Sequence, residues 1–318
     1  MSPRRRLGRR LFKSLLPIAL TVLVAVVGAL AFIVYCTSNP PRRPYLLTPQ
    51  SFISITGRAF KITDETWTNG DGTQARGWLL KGYEGAPAVI LLHRYGADRS
   101  FLFNLGVKIY ETTNFTILWP DLRGHGMSPL VKRTSFGTLE GDDLLSALDF
   151  LKNVKADSKN KLVGDRFGIY GVELGAYAGL KAARANAAIK VLVLDSIPHA
   201  PGELLHVNVT NCVGVDVGAV QALSRLATKI SFMGTYDDAS SCDLASSVRD
   251  QDVLLLSGDD AGYLKQSTAA LQSCFANHDK IESRIDLPLS GFSLPSATGE
   301  QGEAYDRIVI DFFDTHLR

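Results

Sequence analysis

Cysteine and histidine are both scarce in this chain. Four cysteines (Cys36, Cys212, Cys242 and Cys274) and six histidines occur in 318 residues. No CxxC pair and no Cys/His spacing suited to a metal is present, so zinc-ribbon and thioredoxin-like motifs are excluded and no cofactor is expected. So low a cysteine content also excludes a disulfide-stapled miniprotein. In an oxidising compartment Cys212 and Cys242 are the pair expected to staple one insertion; buried free thiols are the alternative. Internal repeats and low-complexity tracts are missing, which excludes solenoids and disordered arrays.

A basic stripe is lacking as well. Residues 1–14 carry Arg4, Arg5, Arg6, Arg9, Arg10 and Lys13 and no acid. Of 34 basic residues, 28 lie beyond that cluster against 32 acidic ones, a balance of about −4 that gives nucleic acid no footprint.

Charge is absent from Leu15–Tyr35. At about 1.5 Å per residue such a run spans about 30 Å, the thickness of a bilayer core. It exceeds the usual apolar core of a cleaved signal peptide, and Ala29-Leu30-Ala31 lies inside it. A lipoprotein reading through Cys36 meets bulky Tyr35 just before it. The expectation is one uncleaved transmembrane helix over residues 15–36. The basic cluster keeps the N-terminus cytoplasmic and puts the rest on the periplasmic, extracellular or lumenal side.

Residues 37–57, with Pro40, Pro41 and Pro44, read as a stiff linker. A domain over residues 58–318 follows. Arg58–Thr68 and Gln74–Tyr83 flank the turn Asn69-Gly70-Asp71-Gly72, a hairpin signal. Short apolar strands are then expected at Ala88–Leu92, Thr116–Trp119, Phe167–Tyr170, Lys190–Leu194, Asp252–Leu256 and Glu282–Asp286. Helices are expected at Ser100–Thr113, Leu139–Val154, Leu174–Ala185 and Glu303–His316. This alternation predicts the α/β class, with a mainly parallel sheet flanked by helices. The pattern loosens at about 197–251, after a strand's C-terminal end, and reads as a cap over a pocket.

Four segments carry a family resemblance. Val89-Ile-Leu-Leu-His93-Arg94-Tyr95-Gly96 resembles the strand and oxyanion loop of α/β hydrolases. Trp119-Pro-Asp121-Leu-Arg123-Gly-His125-Gly-Met-Ser128 resembles the loop after the next strand in their serine aminopeptidase-like and esterase/lipase branch. Gly168-Ile-Tyr-Gly171-Val-Glu173-Leu174-Gly175-Ala176 sits where that superfamily has its strand–elbow–helix, and Val253-Leu-Leu-Leu-Ser-Gly258-Asp259-Asp260 resembles the strand that delivers the acid. The resemblance implies an α/β-hydrolase fold, with Glu173 in the nucleophile position and Asp260 as the candidate acid. Phe292 stands where the histidine is expected, and His93, Arg94, Tyr95 and Leu174 form the oxyanion region.

Glutamate cannot form serine's acyl-ester. In haloalkane dehalogenases an aspartate at the elbow attacks carbon directly, but a histidine must still activate water. Here Leu289-Ser-Gly-Phe292-Ser offers none, and His278 and His316 are poorly placed. The Arg94 side chain is expected to fill the pocket mouth and pair with Glu173. His93, His125, Asp121 and Arg123 are expected to hold loops, while His199 and His206 follow a strand's C-terminal end and are candidates for a substitute base. Three readings stay open. The first is a degenerate, non-catalytic hydrolase (a pseudoenzyme) with a binding or scaffolding role, its ligand a small molecule, lipid or peptide. The second is a hydrolase of small esters or amides that uses Glu173 as nucleophile or base. The third is a transferase or metal-dependent enzyme.

Overall fold

A computed structural model describes residues 3–58, 60–296 and 299–318; the basic side chains of residues 1–14 lie outside what it describes. The helix α1 (Pro3–Ser38) includes Leu15–Ser38, 24 residues whose most apolar stretch of 18 has a mean hydropathy of 2.7, long and apolar enough to cross a membrane. Its last two turns dock on the domain, where Ile33, Val34, Thr37 and Ser38 are buried.

Residues 37–57, expected as a spacer, pack on the domain. They include α2 (Pro49–Thr56), started by a reciprocal cap between Thr48 and Ser51 and ended by Gly57 in the left-handed conformation. Phe52 is buried, and the Tyr45 hydroxyl donates to Asp121 at 2.9 Å.

The strands are β1 (Ile62–Thr68), β2 (Gln74–Leu80), β3 (Ala86–Leu92), β4 (Thr116–Pro120), β5 (Val163–Val172), β6 (Ile189–Asp195), β7 (Asp252–Gly258) and β8 (Ile281–Leu287). They form one sheet in the order β1-β2-β4-β3-β5-β6-β7-β8. β2 runs antiparallel to β1 and β4, and the later pairs are parallel, as the alternation of strands and helices predicts. Asn69 and Gly72 close the β1–β2 turn, with Gly72 N–H donating to Asn69 O at 2.9 Å.

Period-2 alternation divides the sheet's side chains between two cores. Ile90, Leu92, Ile169, Leu192 and Leu194 face one side, under α4 (Thr138–Asn153) and α5 (Leu174–Ala185). Val89, Leu91, Tyr170, Val172, Val191 and Val193 face the other, under α3 (Phe103–Thr113) and α10 (Glu300–Leu317). Burial on both faces explains why β3 and β6 read as unbroken apolar runs.

After β6 the chain leaves the sheet through α6 (Pro201–Val213), α7 (Gly218–Ser231) and α8 (Ser241–Ala245), the expected cap region; α9 (Leu264–Leu271) follows β7. The expected Cys212–Cys242 pair is not formed. Cys36 bonds Cys212 and Cys242 bonds Cys274, with Cα atoms 6.3 and 5.1 Å apart, so no cysteine is free. Proximity in sequence misleads here, because tertiary packing brings the end of α1 to the end of α6, and the start of α8 to the turn after α9.

Candidate functional site

The site grows from the junction of β5 and α5. Glu173 occupies it with φ 51° and ψ −108°, a left-handed backbone that a side chain rarely adopts. The turn is that tight because its flanks have no side chains. A Cβ on Gly171 would lie 2.4 Å from the Gly175 backbone, and one on Gly175 would lie 2.3 Å from the Leu92 carbonyl oxygen. Glu173 N–H donates to Asp195 O at 2.9 Å, which ties the elbow to β6.

The glutamate folds back onto its own elbow. Its Oε2 accepts the backbone N–H of Tyr95 at 2.8 Å, and the Leu174 N–H also stabilises the carboxylate. Tyr95 and Leu174 are two of the four positions expected in the oxyanion region, and the carboxylate occupies the backbone N–H groups of both. Burial pushes the Glu173 carboxyl up to about 7, against the lowering effects of the Tyr95 N–H, the Arg94 charge and the Leu174 N–H.

Arg94 does not pair with Glu173 as expected: among the described residues no ion pair joins them. Its guanidinium lies over the rings of Phe101 and Phe292, 5.1 and 5.3 Å from their centroids, and donates to Tyr95 O at 3.2 Å. The two rings hold the cation aside, so it acts on the carboxylate through space.

Asp260 and Phe292 come together. The Asp260 carboxylate accepts Ser290 N–H at 2.7 Å and the Ser293 hydroxyl, gripping both sides of Phe292. The candidate acid thus reaches the segment that carries Phe292.

His93 and His125 are buried loop-holders. His93 Nε2 accepts Leu122 N–H at 3.1 Å and its Nδ1 faces Arg94 O at 2.8 Å, which assigns the proton to Nδ1. Burial lowers His93 to about 4; burial and then His93 lower His125 to about 3, so both rings are neutral near pH 7. Asp121 accepts Arg99 N–H at 3.0 Å, and Arg123 pairs with Asp143 and Asp71. His199 and His206 line a 690 Å³ cavity in the cap with Glu203, Arg225, Asp238 and Tyr263. His206 faces Asp216 at 3.2 Å. His316 lies near Asp252 and Glu282 on the closing helix, away from the elbow. Among the described residues no cluster of three His, Cys, Asp or Glu side chains suits a metal.

Sequence reasoning missed two residues. Asp195, at the end of β6, is fully buried and accepts the Ser196 hydroxyl at 2.6 Å, the Gly291 N–H at 2.8 Å and the Tyr305 hydroxyl. Burial pushes it up to about 6. An aspartate closing an apolar strand was the available signal. Tyr263 lines the cap cavity, and its phenol is raised by burial and by the charges of Glu173 and Glu203, which links cavity and elbow. Nothing in its local sequence marks it.

No family model matches the sequence, and no curated protein matches it. Solved structures do. An esterase from Pyrococcus furiosus shares 18% identity over 89% of this chain and 99% of its own, with a TM-score of 0.63. An α/β hydrolase from a Penicillium species shares 15% over 80% and 99%, with a TM-score of 0.54. A thermophilic esterase from Thermogutta terrifontis shares 14% over 80% and 100%, with a TM-score of 0.57. The chain therefore has the α/β-hydrolase fold, as its motifs imply.

Proposed function

We propose that this chain is a single-pass membrane protein whose α/β-hydrolase-fold domain is a pseudoenzyme with a binding role. The observation that carries the reading is the Glu173 carboxylate bound to the Tyr95 N–H; with Phe292 read in the place of the base, nucleophile, base and oxyanion donors would all be withdrawn from acyl transfer. The loop Trp119–Ser128 supports descent from the serine aminopeptidase-like branch. Two disulfides support an oxidising compartment for the domain, and the basic residues 4–13 support a cytoplasmic N-terminus. The cap cavity, with histidines, acids and Arg225, suits a polar small molecule, a lipid headgroup or a peptide end.

A second reading rests on one specific observation. A carboxyl raised to about 7 is tuned for general-base work near neutral pH, so Glu173 would activate water for hydrolysis of a small ester or amide. A panel of short-chain esters with the full chain and its Glu173→Gln variant separates the two. Turnover at background in both supports the pseudoenzyme; turnover lost only in Glu173→Gln establishes the hydrolase.

A further inference from the structure

The cap helix α7 is built inside out. Its protein-facing side carries Ser224 and Thr228, both fully buried. Its outer side carries Leu223, Leu226 and Ile230, followed by Met233 after the helix, at spacings of three, four and three residues. Met233 is 91% and Ile230 68% exposed. A cap helix in water turns its apolar stripe inward, and a continuous outward stripe marks a surface meant to be covered.

The neighbourhood says what covers it. α7 packs against α1, whose docked residues Ile33, Val34, Thr37 and Ser38 form the C-terminal end of its membrane-length run. On the free side of α1 at that level, Phe32 and Tyr35 are exposed, an aromatic pair of the kind that settles at the headgroup boundary. Arg133 fixes the two helices together: it donates to Ser231 Oγ at 2.7 Å and to Ser38 Oγ at 3.3 Å, and stacks on Phe232 at 4.4 Å. The Cys36–Cys212 bond ties α1 to the helix that precedes α7. α7 holds Arg225 and Lys229 and no acid. An apolar face bordered by basic residues, fixed beside the exit of a transmembrane helix, is the pattern of a helix lying in the plane of a bilayer surface.

We infer that α7 lies in the headgroup–acyl boundary of the membrane that α1 crosses, with Leu223, Leu226, Ile230 and Met233 inserted, so that the cap and its cavity are held at the lipid surface. This rests on the membrane-anchor reading above. It goes beyond that reading, because an anchored domain on a free linker would leave α7 in water.

The test places the full chain in two sets of nanodiscs, one containing phosphatidylcholine brominated near the headgroup end of the acyl chain and one containing phosphatidylcholine brominated towards its far end, which reads Leu23 in mid-span. Tryptophan reporters are introduced singly as Leu226→Trp and Met233→Trp on the cap, Leu23→Trp in α1, and Tyr83→Trp in the exposed loop between β2 and β3, at the other end of the strands from the cap. The native Trp67, Trp78 and Trp119 are buried and give a common background. Met233 lies outside α7, so one cap reporter survives if the other disturbs the helix. Quenching at Leu226→Trp and Met233→Trp at least twofold above Tyr83→Trp is the expected result. Quenching at Leu23→Trp alone overturns the interfacial helix while leaving the anchor. Quenching at no reporter overturns the anchor reading itself. Cap reporters that are unquenched by lipid yet shielded from acrylamide, in a particle of doubled protein mass, identify a second copy as the occupant and overturn the inference.

Discussion

Glu173 Oε2 lies 2.8 Å from the backbone nitrogen of Tyr95 and accepts its hydrogen. The contact explains how a strained elbow keeps its geometry without a serine. The carboxylate satisfies N–H groups that would otherwise be buried and unpaired, while Gly171 and Gly175 permit the turn.

The first prediction concerns pH. The Glu173 carboxyl is raised to about 7 in the folded chain against 4.5 ordinarily, so the folded state binds this proton more tightly than the unfolded one. Wild-type stability at this group is therefore greatest below about pH 4.5 and declines as pH rises towards 7. Glu173→Gln lacks that slope. Its melting temperature should match wild type near pH 5 and exceed it by pH 8, by the equivalent of about 1–3 kcal/mol. A difference that is constant with pH in thermal scans contradicts this.

Disulfide connectivity is directly readable. Non-reducing digestion and mass spectrometry should recover peptides linking Cys36 to Cys212 and Cys242 to Cys274, with none linking Cys212 to Cys242. Loss of the Cys242–Cys274 bond in a Cys242→Ser, Cys274→Ser double variant should cost about 2–4 kcal/mol in denaturant unfolding.

The two acids at the histidine-less segment should separate by burial. Asp195→Ala leaves the Gly291 N–H and Tyr305 hydroxyl without their shared acceptor in the core and should cost about 2–4 kcal/mol. Asp260 is exposed, and Asp260→Ala should cost about 1 kcal/mol. Equal losses in chemical denaturation would show that the buried network around Asp195 contributes little.

Gly175→Ala should be more damaging than Glu173→Ala, because its Cβ meets the Leu92 backbone rather than a movable side chain. Expression and melting of Gly175→Ala against Glu173→Ala give the comparison, with a gap of at least about 2 kcal/mol expected.

The sheet was legible because its strands are short apolar runs separated by amphipathic helices. Leu174–Ala185 begins and ends where the sequence says, bounded by the elbow and by Asn186. Family spacing singled out Asp260 and Phe292, and in the fold Asp260 contacts Ser290 and Ser293 on either side of Phe292. What was not legible depends on long-range packing. The partner of Cys36, the docking of Thr37 and Ser38 beneath Tyr95 and Arg133, and the stacking of Arg94 on Phe101 and Phe292 join segments far apart in the chain. Arg94 was expected to meet Glu173 because opposite charges attract; two flanking rings and a competing backbone N–H decided otherwise.

The central claim is that two side chains, Glu173 and Phe292, withhold acyl-transfer chemistry from an otherwise intact frame. The most direct measurement is hydrolysis of p-nitrophenyl acetate by the full chain, by Glu173→Ser, and by the double variant Glu173→Ser, Phe292→His. Serine would vacate the Tyr95 and Leu174 N–H groups, and a histidine at 292 would stand between the two contacts of Asp260. The account predicts background rates for wild type, little gain for Glu173→Ser, and turnover at least tenfold above background for the double variant. Turnover by the wild type that disappears in Glu173→Ser would contradict it and make Glu173 the catalytic group.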